Sequence, residues 1–310
     1  FADSNIDSFA AKPANGWSDW KDELFKTGGH QNYQVSVSGG GQNTQFYSSL
    51  SYTKQDGIIQ NQGLERFTGN ANLTHTFKRL TVQVTSQFSK MIQKKTNEGT
   101  SYDGAVANYA FFQSPSSTPY NEDGSLNNGC GMFGVNPLYE FQHSSDRATI
   151  IKAFNTVKAT YNIWDNLNLS EKISYDYMTN TNDVLWDRYS NNGGPGGVMQ
   201  RIISKNEQLN TQTQLTYNKA FGEHNIDALL GFETEDNKYA YNYLSGQDYP
   251  GDLYEFTNAG STSADSNIQS YRLTSFLGRV NYDFGGKYYL SASYRTDGSS
   301  RLARDNRWGS

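Results

Sequence analysis

Hydrophobic and polar residues alternate with a period of two along most of this chain. Between Phe67 and Phe77 the odd positions are mainly apolar, whereas the even positions carry Thr and Asn. The segment from Leu80 to Ser89 repeats the pattern, with Leu, Val and Phe at even positions. Because successive side chains of a strand point to opposite faces, each segment is predicted to be a strand with one apolar side.

Ten segments follow this pattern, and most predict strands of about 9–12 residues. Such strands are longer than the roughly 5–6 residues common in globular proteins, and they match a tilted crossing of a lipid bilayer. The ten segments are 33–37, 46–52, 67–77, 80–88, 153–161, 167–175, 209–217, 226–232, 276–282 and 288–294.

The connections alternate between short and long. The short ones are rich in Gly, Asn and Asp, which favour tight hairpins, and lie at 39–41, 78–79, 164–166, 222–223 and 285–286. The long, polar ones lie at 55–65, 91–149, 178–205, 236–269 and 297–308. In an up-and-down meander all short turns then lie at one end and all long loops at the other, which is typical of outer-membrane barrels.

Aromatic residues mark the ends of the predicted strands. Those near the short turns are Phe77, Tyr161, Phe221, Phe284 and Tyr288, and those near the long loops are Tyr52, Phe88, Tyr177 and Tyr294. Two aromatic girdles around an aliphatic band are typical of a lipid-facing wall, although aromatic residues favour strands in general. The opposite face, rich in Ser, Thr, Asn and Gln, suits a wide lumen and not a filled core. We therefore predict an all-β fold, an antiparallel up-and-down transmembrane β-barrel, with about ten strands of a larger barrel in this chain.

Composition and charge exclude several classes of protein. The 26 basic and 31 acidic residues give a formal net charge of −5. The sequence lacks the basic patch that is typical of nucleic-acid-binding proteins. The single cysteine, Cys130, cannot form an internal disulfide, and no Cys/His cluster predicts a zinc site. No apolar run is long enough for a membrane-spanning helix. The chain begins at Phe1 without a signal peptide and ends at Ser310 without a natural terminus, so we expect a fragment.

No catalytic arrangement is evident, and we expect neither an enzyme nor a bound cofactor. The four histidines are scattered, and neither HExxH nor GxSxG occurs. Asp248, Asp252 and Glu255 offer oxygen ligands for calcium, but we favour a solvated acidic loop because their spacing is not that of an EF-hand. The glycine-rich segment 193–197 lacks the Lys of a phosphate-binding loop and is predicted to be a flexible loop tip.

Two further groups of charged residues have structural interpretations. The segment 19–23, with three carboxylates, is predicted to form a short amphipathic turn at the start of the barrel. The dipeptide 297–298 is predicted to form the turn after the last complete strand, leaving Arg301 free to pair with a carboxylate of the wall.

Aromatic residues in the long loops are the best candidates for ligand contact. Sugars present apolar C–H faces that stack on such rings, and loops on a rigid scaffold commonly carry binding sites. Alternatively, these rings pack the loops or seat a partner that covers them. The candidates are Trp186, Tyr189, Tyr249, Tyr254 and Phe256.

Several sequence strings resemble the SusC/RagA-type TonB-dependent outer-membrane transporters. The resemblance covers nearly the whole chain and is most specific towards its two ends. The strings are Trp17–Gly28, Asn32–Gly40, Tyr47–Ile59, Arg66–Leu73, Pro119–Ser125, Asn136–Leu138, Tyr288–Arg301 and Asn306–Gly309.

This resemblance implies a barrel of about 22 strands with an N-terminal plug. Residues 1–29 would form the entry from the plug into the barrel, and residues 30–310 part of the barrel with extracellular loops at 91–149, 178–205 and 236–269. The family's plug and TonB box have no counterpart here, so no energy-coupling residue can be assigned.

The family's function is likewise only implied. It would be the import of oligosaccharides or peptides across the outer membrane of Gram-negative bacteria, typically Bacteroidetes. A SusD-like surface lipoprotein would cap the barrel, outer-membrane lipid would surround it, and TonB with ExbB and ExbD would supply energy.

Two other readings of the residues remain open. One is a complete small outer-membrane barrel that acts as a porin, an adhesin or a surface protease. The other is a soluble β-rich module that binds carbohydrate, against which the one-sided distribution of long loops counts.

Overall fold

The computed structural model describes residues 17–96, 112–130 and 134–309. They form one antiparallel sheet of 11 strands in chain order, which confirms the predicted up-and-down meander. The strands are β1 (Gly29–Gly40), β2 (Thr44–Asp56), β3 (Gly63–Phe77), β4 (Leu80–Lys95), β5 (Ser144–Trp164), β6 (Leu167–Trp186), β7 (Val198–Phe221), β8 (His224–Gln247), β9 (Ser261–Phe284), β10 (Tyr288–Ser299) and β11 (Trp308–Gly309).

Helices are few and short in the described part of the chain. They are α1 (Trp20–Leu24), α2 (Pro137–His143) and the 3-10 helices Phe256–Asn258 and Arg304–Asn306. None of the helices in these ranges is both long and apolar enough to cross a membrane.

The sheet has two chemically different faces because the strands pair in register. Leu73 lies opposite Val84, which in turn lies opposite Val157 on β5, so apolar side chains line up across three strands. The neighbouring positions Gln83 and Lys158 are also paired and point to the other side. We call the side of Val84 the outer face and the side of Gln83 the inner face.

Apolar side chains of the outer face lie bare on the described sheet. Val35, Leu230 and Leu290 are 67%, 63% and 66% exposed, although each lies within a regular, paired strand. Soluble monomeric proteins rarely leave so many neighbouring apolar side chains exposed to water. The band therefore has the character of a lipid-facing surface.

The upper border of this apolar band, on the side of the long connections, crosses the strands at a slant. When the paired residues are followed from strand to strand, Tyr52 on β2 leads to Ile268 on β9. The border aromatic residue of β9, however, is Phe276, eight residues further along the strand. A stagger of about one residue per strand is what tilted strands need in order to close into a barrel.

Four of the five short turns lie where the alternation predicts them, whereas the first lies at 41–43 and not at 39–41, because Gly39 and Gly40 still pair with β2. Gly222, Gly285 and Gly286 have positive φ angles, as tight hairpins require. The two-residue turn after β3 differs because it contains no glycine, and Lys78 adopts the positive φ angle of 54°. Its ammonium group lies 5.3 Å from the centroid of the Phe77 ring, a favourable cation–π distance that offsets part of the strain.

The strands run further than predicted. Instead of about 9–12 residues, β7, β8 and β9 have 24 residues each. The loop segments expected at 91–149, 178–205 and 236–269 are reduced to connections at 96–143, 187–197 and 248–260. Beyond the apolar band both faces become polar and the alternation disappears, but the backbone hydrogen bonds of the ladder continue without it.

The structure also corrects two predictions near the end of the chain. Asp297–Gly298 lies inside β10, paired with β9, and does not form a turn. Arg295, not Arg301, donates to the Asp297 carboxylate, with 2.8 Å between Nε and Oδ1. Arg301 instead stacks over the Tyr271 ring at 4.0 Å, since cation–π contact is open to a planar guanidinium.

A small buried core lies at the long-connection end, where α1 meets the β2–β3 and β4–β5 connections. Asp19 caps α1 by accepting from the backbone N–H groups of Lys21 and Asp22, which confirms the predicted turn. The core consists of Trp20, Leu24, Ile59, Cys130, Val135 and Leu138. The division at residues 29 and 30 stays a prediction, and residues 1–16 lie outside the described ranges.

Candidate functional site

Three connections at the long-loop end of the sheet pack against one another, and together they contain four of the five predicted ligand-binding aromatic residues, all except Trp186. They are residues 134–143, which include α2, and the β6–β7 and β8–β9 connections, 187–197 and 248–260. We call these three segments the loop cluster.

Residues of α2 hold the β6–β7 connection in place. The Glu140 carboxylate accepts two hydrogen bonds, from the Ser190 hydroxyl and from the Asn191 backbone N–H, both at 2.7 Å. His143 Nδ1 lies 2.7 Å from Oδ2 of Asp187. Hydrogen bonds to charged groups are the stronger kind, so this side of the loop cluster is well anchored.

Arg188 links the β6–β7 connection to the β8–β9 connection. Its guanidinium donates to the Tyr249 carbonyl at 3.0 Å, and its Nε lies 3.0 Å from Oδ1 of Asp252. The backbone N–H of Arg188 donates to the Tyr254 hydroxyl at 3.0 Å. In return, the backbone N–H of Tyr249 donates to the Gly196 carbonyl. The two connections therefore form one packed unit.

The glycine-rich segment 193–197 makes this close approach possible. A Cβ on Gly193 would lie 1.8 Å from the Asp187 carbonyl oxygen, and one on Gly196 would lie 2.5 Å from Cα of Asp248. Gly197 also has a φ of +84°, which favours glycine. The predicted flexible loop tip is thus a close-packed turn, because its glycines serve backbone contact.

Three of the five candidate aromatic residues are used for packing, two within the loop cluster and one against β7. Tyr249 is only 2% exposed, and its ring meets that of Tyr254 edge to face at a centroid distance of 5.1 Å. Burial, with the nearby Glu255 charge, raises the pKa of Tyr249. The Phe256 ring lies under the guanidinium of Arg201 at 5.7 Å.

The remaining two candidates are accessible. Tyr189 is 53% exposed, and its ring lies 5.4 Å from that of His143. Trp186 is the last residue of β6, half-buried, at a position that belongs to the inner face. Contact with a ligand at any of the five residues stays a prediction.

Sequence reasoning did not single out the polar residues that build the loop cluster. Asp187 and Arg188 lie between two of the predicted aromatic residues, and Glu140 and His143 belong to α2. The sequence feature that could have pointed to them is the charged pair of Asp187 and Arg188 between two aromatic residues. Their partners are 40 or more residues away in sequence, so only the fold could reveal them.

The acidic residues considered for calcium are used differently. Asp252 is engaged by Arg188, and Asp248 has a positive φ of 59° at a turn. Within residues 17–96, 112–130 and 134–309, no group of three or more His, Cys, Asp and Glu side chains is placed to hold a metal ion.

The inner face carries a polar cavity of about 230 Å³ below the loop cluster. Arg295 lies at its wall, with its guanidinium 3.1 Å from the Glu233 carboxylate and 3.1 Å from the Ser275 hydroxyl. Gln212 donates to the same Glu233 carboxylate. Lys172 and Glu235 complete the charged lining. This wall is hydrated and ionic in character, as expected for a wide lumen.

Comparison with known proteins supports the family resemblance. No family model matches the chain. The chain is 28% identical over 314 residues to "TonB-dependent receptor P3" of Formosa agariphila, which covers 97% of this chain and 31% of that receptor. It is 25% identical over 318 residues to "TonB-dependent receptor SusC" of Bacteroides thetaiotaomicron, covering 94% of this chain and 31% of SusC.

A solved structure gives the same fold. The structure of the RagAB peptide transporter superposes with a TM-score of 0.84 and 20% identity, over 99% of this chain and 36% of the matched chain. The resemblance to SusC-type TonB-dependent receptors is confirmed. The chain spans about a third of the length of the curated relatives that it matches. Its 11 strands have the fold of a piece of the barrel wall of a SusC-type receptor.

Proposed function

We propose that this chain forms part of the wall of an outer-membrane TonB-dependent importer for oligosaccharides or peptides. The observation that carries the proposal is the band of bare apolar side chains on the outer face of an up-and-down sheet whose inner face is polar. Such a sheet is stable in lipid only as part of a closed barrel, because open edges leave backbone groups unsatisfied.

The two alternative functions receive less support. A complete small barrel requires its first and last strands to pair, but in the described ranges β1 pairs only with β2, and β11 only with β10. A soluble carbohydrate-binding module has to cover the apolar outer face, and nothing in the described part of the chain covers it. The soluble module also leaves the slanted border of the apolar band unexplained, because that stagger is a requirement of barrel closure.

The proposed partners follow from the proposed function. A SusD-like lipoprotein would cover the long-loop end, TonB with ExbB and ExbD would act through a plug outside this chain, and lipid would surround the outer face. The RagAB structure is described as that of a peptide transporter, and SusC is named a TonB-dependent receptor. We propose transport, without an enzymatic reaction, for the present protein.

We further propose that the accessible aromatic residues of the long-loop end contact the ligand. Ring surface near the entrance of the lumen would come from Tyr189, in the loop cluster that charged hydrogen bonds hold in place, and from Trp186, at the adjoining end of β6. Tyr249, Tyr254 and Phe256 would support this surface from below and contact the ligand only at their edges.

Active transport is tested by deleting the TonB box of the full-length protein. Uptake of the ligand by whole cells should fall to background, whereas the amount of folded protein at the cell surface should not change. Unchanged uptake would refute active transport and would leave a passive barrel.

Ligand contact is tested with Tyr189→Ala and Trp186→Ala in the full-length protein, using isothermal calorimetry with the transported ligand. Loss of a stacked ring should weaken binding about 2-fold to 13-fold, since an aromatic contact contributes roughly 0.5–1.5 kcal/mol beyond its buried area. Leu253→Ala is the matched control, because Leu253 is an exposed apolar residue of the same loop cluster. Equal effects of all three substitutions would remove both residues from the proposed site.

A further inference from the structure

The outer face above the apolar band carries charged side chains, and several of its bases form ion pairs with acidic residues. Lys205 Nζ lies 2.9 Å from Oε1 of Glu207, and Arg272 is paired with Asp236 on the neighbouring strand. Because these pairs are neutral overall, they offer little net charge to a partner.

Three bases on β4 and β5 differ from these pairs. Lys90, Lys94 and Arg147 are exposed, and none of them has an ion-pair partner within the described ranges. Lys94 lies directly opposite Arg147 in the register of the two strands. The acidic residue opposite Arg147 on β6 is Asp183, but its carboxylate is bound by Arg201.

The next cross-strand pair of β4 and β5, on the inner face, combines opposite charges. There Lys95 lies opposite Asp146, and Nζ and Oδ1 are 3.3 Å apart. Like charges directly opposite each other on a sheet are destabilising, whereas opposite charges are favourable. The cross-strand pair of Lys94 and Arg147 on the outer face therefore favours an anion that can lie between the two cations.

The position of the three bases indicates which anion this is. Phe88 is the border aromatic residue of the apolar band on β4, and Lys90 follows two residues later on the same face. At about 3.3 Å per residue, Lys90 lies roughly 7 Å and Lys94 roughly 20 Å along the tilted strand from Phe88. This range starts where lipid headgroups meet the band, and long basic side chains reach headgroups easily.

We propose that Lys90, Lys94 and Arg147 form a contact site for the phosphate groups of anionic lipids in the outer leaflet. A guanidinium binds phosphate through two parallel hydrogen bonds, and the ammonium groups add charge. The inference rests on the membrane position in the proposed function, but not on transport. A second copy of this chain is the less favoured occupant, because the three bases would need an acidic partner surface.

The test uses the purified full-length protein in a neutral detergent. Native mass spectrometry measures its affinity for phosphatidic acid and for phosphatidylcholine, in which a choline cation masks the same phosphate. The protein should prefer phosphatidic acid. The triple variant Lys90→Gln, Lys94→Gln, Arg147→Gln should lose this preference. Each base removed should weaken the binding of phosphatidic acid about 5-fold.

Two further variants make the result specific. Lys205→Gln with Glu207→Gln removes an existing ion pair at the same height and should leave the preference unchanged. Lys94→Glu creates an ion pair with Arg147, so it should fold at least as well as the natural protein and still bind phosphatidic acid less tightly. This variant keeps the test valid if the triple variant does not assemble.

Equal affinities for the two lipids, or an unchanged preference in both Lys94 variants, would overturn the proposal. A change in oligomer mass without a change in lipid preference would also overturn it and would assign the patch to a second copy. Ligand uptake by the Lys94→Glu variant should equal that of the natural protein. Failure of transport in the natural protein would refute the importer but not the lipid contact.

Discussion

Tyr249 is the most deeply buried of the five aromatic residues that the long loops contribute. Its identity as a loop aromatic residue was evident from the sequence, but its use was not. A ring that stacks on a ligand and a ring that packs a loop have the same sequence signature. The 2% exposure and the contact with Tyr254 assign Tyr249 to packing.

The Tyr249 hydroxyl has no hydrogen-bond partner within the described ranges. Tyr249→Phe should therefore change the free energy of opening of the loop cluster by less than about 1 kcal/mol, because the ring is kept and a buried orphan hydroxyl is removed. Tyr249→Ala should lower it by about 3–5 kcal/mol, as for other buried aromatic side chains. Amide hydrogen exchange over residues 187–197 measures both, and equal losses would contradict the packing role.

Gly193 shows that the packing of the β6–β7 connection depends on contacts that the residue pattern does not reveal. The sequence 193–197 predicts a flexible tip, since glycine and proline dominate it. In the structure the same glycines let the backbone of one connection approach its own start and the neighbouring connection. Composition thus located the turn correctly, but the packing around it depends on contacts far apart in sequence.

Gly193→Ala should open the loop cluster, because the new methyl group would overlap the Asp187 carbonyl oxygen at 1.8 Å. We expect faster amide exchange across 187–197 and weaker binding of the ligand. Gly251→Ala is the matched control in the neighbouring connection, where a Cβ would meet nothing within 4 Å. Equal exchange rates in the two variants would show that Gly193 is not needed for packing.

The whole molecule is defined by its two faces, and adjacent residues of β4 provide a matched test. Val84 belongs to the apolar outer face, between Leu73 and Val157, whereas Gln83 lies on the inner face opposite Lys158. Val84→Lys should destabilise the barrel by about 2–4 kcal/mol, as a charge on the lipid face does near the midplane. Gln83→Lys should cost little, because the inner face is polar.

The two variants of β4 are compared in the full-length protein by the fraction that resists unfolding by detergent on a gel at room temperature. We expect much less folded protein for Val84→Lys than for Gln83→Lys. Equal amounts of folded protein would mean that the outer face does not contact lipid, and the proposed position in the membrane would fail.

The sequence by itself determined the class of fold, the order of the strands and the end at which each connection lies. Those features depend on side chains close together in sequence: the period of two assigns each residue to a face, and short turns force neighbouring strands to pair. The two-residue turn at Lys78 was located in this way, although its positive φ was not foreseen.

Only the tertiary structure decided where the strands end and what the loop residues do. Outside the apolar band both faces are polar, so alternation carries no signal while the backbone ladder of β7, β8 and β9 continues. The loop cluster likewise depends on contacts such as that of Arg188 with Asp252, which are separated by 64 residues of chain. Such contacts form because the barrel wall brings the ends of four strands together, and no local pattern encodes that proximity.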